Sequence, residues 1–101
     1  MKKNNILEES REIINEIDDQ MISLFVKRMA AVSMVAEYKY ENGLPVLDNT
    51  REDIIKANNI EKLCNKNLES FYLTFLEGVL KSSKDYQKFL LEKFEKNKGN
   101  K

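Results

Sequence analysis

The 101-residue sequence contains no histidine, one cysteine, one proline and three glycines. Without histidine, a zinc site built from cysteine and histidine is excluded, as is a cysteine nucleophile activated by histidine. The single cysteine, Cys64, cannot form a disulfide within the chain, and we expect it to be a small apolar filler. Because glycine and proline are scarce, the sequence offers few turns to separate strands, and an all-α fold is predicted.

The sequence also has no excess of charge, since 17 lysine and arginine residues balance 17 aspartate and glutamate residues. Proteins that follow nucleic-acid phosphates usually carry a basic surface, so a nucleic-acid-binding role is disfavoured. No stretch approaches the roughly 18 uninterrupted apolar residues that a membrane-spanning helix needs. The lysines at the N-terminus are not followed by an apolar run, and we therefore expect no secretory signal and a cytoplasmic location.

A long first helix is predicted, because apolar residues recur at steps of three and four as they do along one buried helix face. This seam comprises Leu7, Ile14, Ile17, Met21, Leu24, Ala31, Val35 and Tyr38. The helix can begin at Asn5, with Glu8 in capping-box spacing, and nothing interrupts it before Asn42. A helix of about 36 residues would be ~54 Å long, too long for one small domain to cover. A second copy of the chain is the expected cover.

Two further helices are predicted after the Gly-Leu-Pro loop. Asp48, Asn49 and Thr50 compete to cap the second helix, of which Asn49 has the capping-box spacing to Glu52. That helix is expected to end at residue 63 or 64, and the third helix to follow the polar segment 65–67. The whole chain, 1–101, is predicted to be one domain with its core in residues 6–94 and a frayed tail at residues 95–101.

The first helix carries two cations on the face that is expected to be apolar. Arg28 occupies a seam position, and Lys39 lies eleven residues further on, about 20° away in bearing and roughly 16 Å along the axis. A guanidinium cannot lose its proton on burial, so it needs an anion beside it. An ordinary explanation is a snorkelling Arg28 that pairs with Asp18 or Glu52. Together, however, Arg28 and Lys39 indicate a site for a small anion.

The other helices and the start of the chain add to this set. Arg51 and Glu52 lie on the second helix, while Ser83 and Gln87, spaced i,i+4, interrupt the apolar stripe of the third. Arg11 lies about 25 Å from the position of Arg28 along the axis, so it cannot bind the same small ligand within one chain. In an antiparallel pairing of two long helices, Arg11 could reach the site of the partner.

These residues together resemble the all-helical class of chorismate mutase. The segment LEESREIINEIDDQMISLFVKRMAAVSMVAEYK is similar to the first helix of that family, with an arginine, Ile-Asp, an apolar stretch, a second arginine and a lysine. The segment PVLDNTREDII is similar to the start of its second helix. The resemblance covers about residues 6–92. It implies an intertwined homodimer of three-helix chains (long, medium, long) that converts chorismate to prephenate, on the route to phenylalanine and tyrosine, without cofactor or metal.

The resemblance also implies which residues bind the two carboxylates of the substrate. Arg28 and Arg11 of the partner subunit would clamp them, and Arg51 and Ser83 would support the carboxylate on the ring. Arginine suits this task because its guanidinium binds carboxylates through two parallel hydrogen bonds. The adjacent Ser82 is the alternative to Ser83 in this role, because the segment between Glu52 and Ser83 is one residue shorter than in the family pattern.

Other residues are implied at the reacting bond and at the ring hydroxyl. Lys39 and Gln87 would donate to the ether oxygen, and Glu52 and the backbone at Asp48 would hold the hydroxyl. Asp18 is expected to be a structural partner for a cation. Some members of the family have glutamate at the position of Gln87 and work best in acid. With a neutral amide here, we expect activity to be flat across neutral pH.

Two alternatives remain at the level of sequence. An isochorismate–pyruvate lyase shares the fold and much of the charged pocket, and the spacing of the residues separates it poorly from a mutase. A non-catalytic helical dimer that docks protein partners belongs to a different class. It would have no pocket for small dicarboxylates, so substitution of Arg28 or Lys39 would change no such binding.

Overall fold

A computed structural model describes residues 3–99 of the chain, and the described part is all-helical. Helix α1 spans Lys3–Glu41, α2 spans Asn49–Leu63 and α3 spans Glu69–Gly99, with a 3₁₀ turn at Lys66–Leu68 before α3. The predicted order of a long, a medium and a long helix is therefore confirmed. Between residues 3 and 99, no helix has a segment both long and apolar enough to cross a bilayer.

The chain divides into two compact units, residues 1–31 and residues 32–101, and α1 contributes to both. In the described part of the first unit, α1 is the sole element, and every side chain from residue 5 to residue 27 is exposed. Ten large apolar side chains are among them, with exposed fractions between 43% and 63%. The seam predicted for α1 is thus not buried within the chain, because a single helix has nothing of its own to pack against.

The second unit contains the buried core. Its apolar members are Val32 and Ala36 from α1 and Leu76, Leu80 and Leu90 from α3. On α3, Leu76, Leu80 and Leu90 belong to the predicted apolar stripe that Ser83 and Gln87 interrupt. On α1, Val35 and Tyr38 of the predicted seam are exposed in the single chain, and their burial by a second copy stays a prediction. The face of α1 that is buried here carries the small side chains of Val32 and Ala36.

Helix α2 packs against α3, and its two ends show how the chain turns. The Oδ1 atom of Asp48 accepts the backbone N–H of Arg51 at 3.0 Å, so Asp48 rather than Asn49 is the N-cap. At the other end, Cys64 has φ +48°, and its N–H donates to the Ile60 carbonyl at 3.2 Å. The prediction that Cys64 is an apolar filler is wrong, because its side chain is exposed at a left-handed C-cap.

The loop between α1 and α2 folds back on the end of α1. Gly43 has φ +63°, which glycine adopts without the steric cost of a Cβ atom. The N–H of Leu44 then donates to the carbonyl of Lys39 at 2.8 Å, and the Asn42 N–H donates to the carbonyl of Tyr38 at 3.1 Å. This reversal brings the backbone of residue 46 towards the side chain of Lys39.

The C-terminal part of α3 contacts the end of α1. The hydroxyl of Tyr40 donates to Oε2 of Glu95 at 3.2 Å, and the rings of Tyr40 and Phe94 lie 5.4 Å apart between centroids. Residues 95–99 belong to α3, while residues 100–101 lie outside the described residues. Fraying of this tail stays a prediction.

Candidate active site

Lys39, in the last turn of α1, joins three parts of the second unit. Its Nζ atom donates to the Val46 carbonyl at 2.8 Å and to Oε1 of Gln87 at 2.8 Å. The side chain is half-buried, between the α1–α2 loop and α3. An ammonium has three N–H groups, so these two bonds fix its position and leave a third donor for a ligand.

The contact with Lys39 determines which way the amide of Gln87 faces. A lysine ammonium can only donate, so Gln87 must turn its oxygen towards it and its two N–H donors away. Gln87 is only 7% exposed. The hydrogen bond between Lys39 and Gln87 therefore fixes the direction of their remaining donors before any ligand binds.

Ser83 lies one turn before Gln87 on the same buried side of α3. It is 6% exposed, whereas the neighbouring Ser82 is exposed, so Ser83 is the serine that faces inwards. Its Oγ atom donates to the Val79 carbonyl at 3.0 Å. Ser83 and Gln87 therefore interrupt the apolar stripe of α3 with buried polar groups, as predicted from their spacing.

Glu52 forms an ion pair across α2 and α3 that the sequence did not predict. Its Oε2 atom lies 3.1 Å from Nζ of Lys84, and the two side chains are 18% and 30% exposed. One feature of the sequence pointed to Lys84, since it lies between the candidate residues Ser83 and Gln87. Oε2 pairs with Lys84, and Oε1 can still accept a hydrogen bond from a ligand.

The remaining predicted residues are more exposed. Arg51 and Asp48 lie at the start of α2 with exposed side chains, and the Asp48 carboxylate is engaged in capping. In the first unit, Arg11 and Asp18 are exposed and Arg28 is half-buried. The structure thus joins Lys39 with Gln87 directly, and it adds Val46 and Lys84 as their unpredicted companions.

Two titratable groups of the second unit have shifted pKa values. The hydrogen bond from Lys81 is the main cause that lowers the pKa of Asp85. Desolvation, followed by the hydrogen bond to Glu95, raises the pKa of Tyr40.

An open groove on α3, lined by Phe89, Glu92, Lys93, Glu95 and Lys96, contains none of the predicted site residues. The described residues include no cluster of three or more side chains that could hold a metal ion.

The sequence matches the family model of chorismate mutase type II over residues 10–88. It is 34% identical over 95 residues to the chorismate mutase of Methanocaldococcus jannaschii, an alignment that covers 91% of this chain and 95% of that protein. It is 37% identical over 99 residues to the bifunctional chorismate mutase/prephenate dehydratase of Buchnera aphidicola subsp. Schizaphis graminum. That alignment covers 93% of this chain but 25% of the bifunctional protein. No solved structure matches the chain.

Proposed function

Because the chain belongs to the chorismate mutase type II family, we propose that it converts chorismate to prephenate as an intertwined homodimer. The reaction is an isomerisation within one molecule, in which the ether C–O bond breaks while a new C–C bond forms. It requires no attacking nucleophile. A site can accelerate it by holding the substrate in a compact, chair-like conformer and by stabilising the charge that develops on the ether oxygen.

The observation that carries the proposal is the hydrogen-bonded pair of Lys39 and Gln87. The Val46 carbonyl and the Gln87 oxygen both hold the ammonium at 2.8 Å, so it needs little reorganisation when substrate arrives. The third ammonium N–H and the amide N–H groups of Gln87 are then available to the ether oxygen. Donors fixed in advance stabilise developing negative charge more effectively than mobile water does.

Glu52 and Asp48 are proposed to bind the ring hydroxyl. A carboxylate accepts a hydrogen bond from a hydroxyl, and Glu52 keeps Oε1 for this purpose while Oε2 pairs with Lys84. The contribution of Asp48 is assigned to its backbone, as the resemblance implies, while its side chain caps α2 through the Arg51 N–H. Neither group takes part in breaking the ether bond, so both are assigned to binding and orientation.

Arg28, Arg51 and Ser83 are proposed to bind the carboxylates of the substrate. This assignment rests on the resemblance and on chemistry, because guanidinium groups suit carboxylates and the substrate carries two. A carboxylate has no proton to give, so Ser83 would have to redirect its proton from the Val79 carbonyl to the ligand. Asp18 is retained as a structural partner for a cation.

The homodimer is supported by the apolar surface of the first unit. Phe25, Val26 and Ile22 are more than half exposed there, as are Ile13 and Ile14. Large apolar side chains exposed in this number on one helix are typical of an interaction surface. A second copy of the chain would supply one, and it would also bring Arg11 of the partner subunit to the site.

The direct test is to add purified protein to chorismate, follow the loss of chorismate ultraviolet absorbance and identify the product. Prephenate is the expected product. If chorismate is unchanged but isochorismate yields salicylate and pyruvate, the protein is instead a lyase. If neither compound reacts or binds, the proposed function is wrong and a non-catalytic dimer is favoured.

A further inference from the structure

We propose that Lys84 is a positioning residue that holds the Glu52 carboxylate where it accepts the ring hydroxyl of the substrate. The proposal rests on the proposed function, since it deepens the role of Glu52 in that reaction. Its basis is the 3.1 Å ion pair between Lys84 Nζ on α3 and Glu52 Oε2 on α2. Lys84 itself is not assigned a contact with the substrate.

The surroundings distinguish this ion pair from an ordinary surface pair. The carboxylate of Glu52 belongs to a side chain that is 18% exposed, and Lys84 is 30% exposed. On the same helix, Lys81 and Asp85 form a pair of 2.7 Å whose side chains are 75% and 56% exposed. Screening by water is therefore weaker at Glu52, and the pair with Lys84 constrains the carboxylate more.

The position of Lys84 on α3 connects Glu52 with the proposed reacting centre. Lys84 lies three residues before Gln87, so the two side chains emerge from adjacent turns of the helix. By pairing with Glu52, Lys84 ties the start of α2 to the same helix that carries Ser83 and Gln87. A glutamate without this partner would rotate towards water, and its free oxygen would lose its fixed direction.

This role predicts a particular kinetic signature. The ring hydroxyl does not react, so its contact with Glu52 stabilises the bound substrate and the transition state alike. Loss of such uniform binding raises KM and leaves kcat unchanged. We expect Lys84→Ala to raise KM about fivefold to tenfold, as for a partly screened ion pair. A purely structural tie would instead lower the melting temperature and the fraction of active protein at unchanged KM.

The experiment compares Lys84→Ala, Lys84→Arg, Glu52→Gln and the double variant Lys84→Ala/Glu52→Gln in steady-state kinetics with chorismate. Lys81→Ala is the matched control, since it removes one positive charge from the same helix and its ion pair with Asp85 lies within α3. We expect Lys84→Arg to restore most of the wild-type KM and Lys81→Ala to leave it unchanged. In the Glu52→Gln background, Lys84→Ala should add little, because the group that it positions has already changed. Circular dichroism and thermal unfolding of each variant report folding.

Two results would overturn the proposal while the wild type remains active. One is a KM for Lys84→Ala equal to that of Lys81→Ala. The other is a full additional rise in KM when Lys84→Ala is introduced into Glu52→Gln, which would mean that Lys84 attracts the anionic substrate directly. If the wild type does not convert chorismate at all, the proposed function itself fails, and the positioning role fails with it.

Discussion

Residues 1–31 and residues 32–101 carry similar amphipathic patterns but bury them to different extents. In the second unit, leucines of α3 and small residues of α1 form a core, and buried polar groups lie among them. In the first unit, α1 exposes its apolar side chains from residue 5 to residue 27. A helical period thus identifies a face that needs cover but does not say which chain covers it. The two units differ accordingly in what is proposed for them, since the exposed apolar side chains lie in the first and the paired Lys39 and Gln87 lie in the second.

The largest effect is expected from a charge placed on the seam of the first unit. Ile14→Asp should dissociate the proposed dimer and abolish activity, because an unpaired carboxylate in a buried apolar interface costs several kcal/mol, at least about 3. Analytical ultracentrifugation and the chorismate assay would measure the two outcomes. Asn15→Asp is the matched control, since it adds the same charge beside the seam. A dimeric, active Ile14→Asp protein would show that this face is not an interface.

The next effect tests the chemical task of the second unit. Lys39→Ala should lower kcat about a hundredfold, since removal of one fixed donor to a developing oxyanion typically costs about 3 kcal/mol. The melting temperature should change far less, because Lys39 is half-buried and contributes hydrogen bonds rather than apolar packing. Lys81→Ala serves as control for the loss of a lysine. If kcat fell no more than in that control, the ether oxygen would not be bound by Lys39.

Part of the fold and of the candidate site could be predicted from the sequence. The three helices followed from periodicity, and the inward placement of Ser83 and Gln87 from their spacing. The contact between Lys39 and the Val46 carbonyl could not be predicted from the sequence. Every residue has a backbone carbonyl, so the residue type does not show which one accepts a hydrogen bond. Lys84 was missed since its partner, Glu52, lies on another helix, and only the packing of α2 on α3 brings the two together.

The next effect tests, by complementation, whether two subunits share a site. Arg11→Ala and Arg28→Ala should each be nearly inactive if every site uses Arg28 of one chain and Arg11 of the partner subunit. After the two variants are mixed and allowed to exchange subunits, half of the dimers are mixed and one of their two sites is intact. About a quarter of the wild-type activity should return. Mixtures of each variant with itself, treated in the same way, are the controls, and no recovery would mean that sites are not shared.

The smallest effect is expected at the exposed pair of Lys81 and Asp85, which stays within one helix of the second unit. Lys81 lowers the pKa of Asp85, so the pair contributes stability above the unfolded-state pKa of this carboxyl and loses it as the pH falls through the lower folded-state pKa. The difference in melting temperature between wild type and Lys81→Ala should therefore be small at pH 7 and vanish in acid. Thermal unfolding from pH 7 to below the usual aspartate pKa of about 3.9 would measure it. A difference that grows on acidification would contradict the pairing, because protonated Asp85 has no charge with which to hold Lys81.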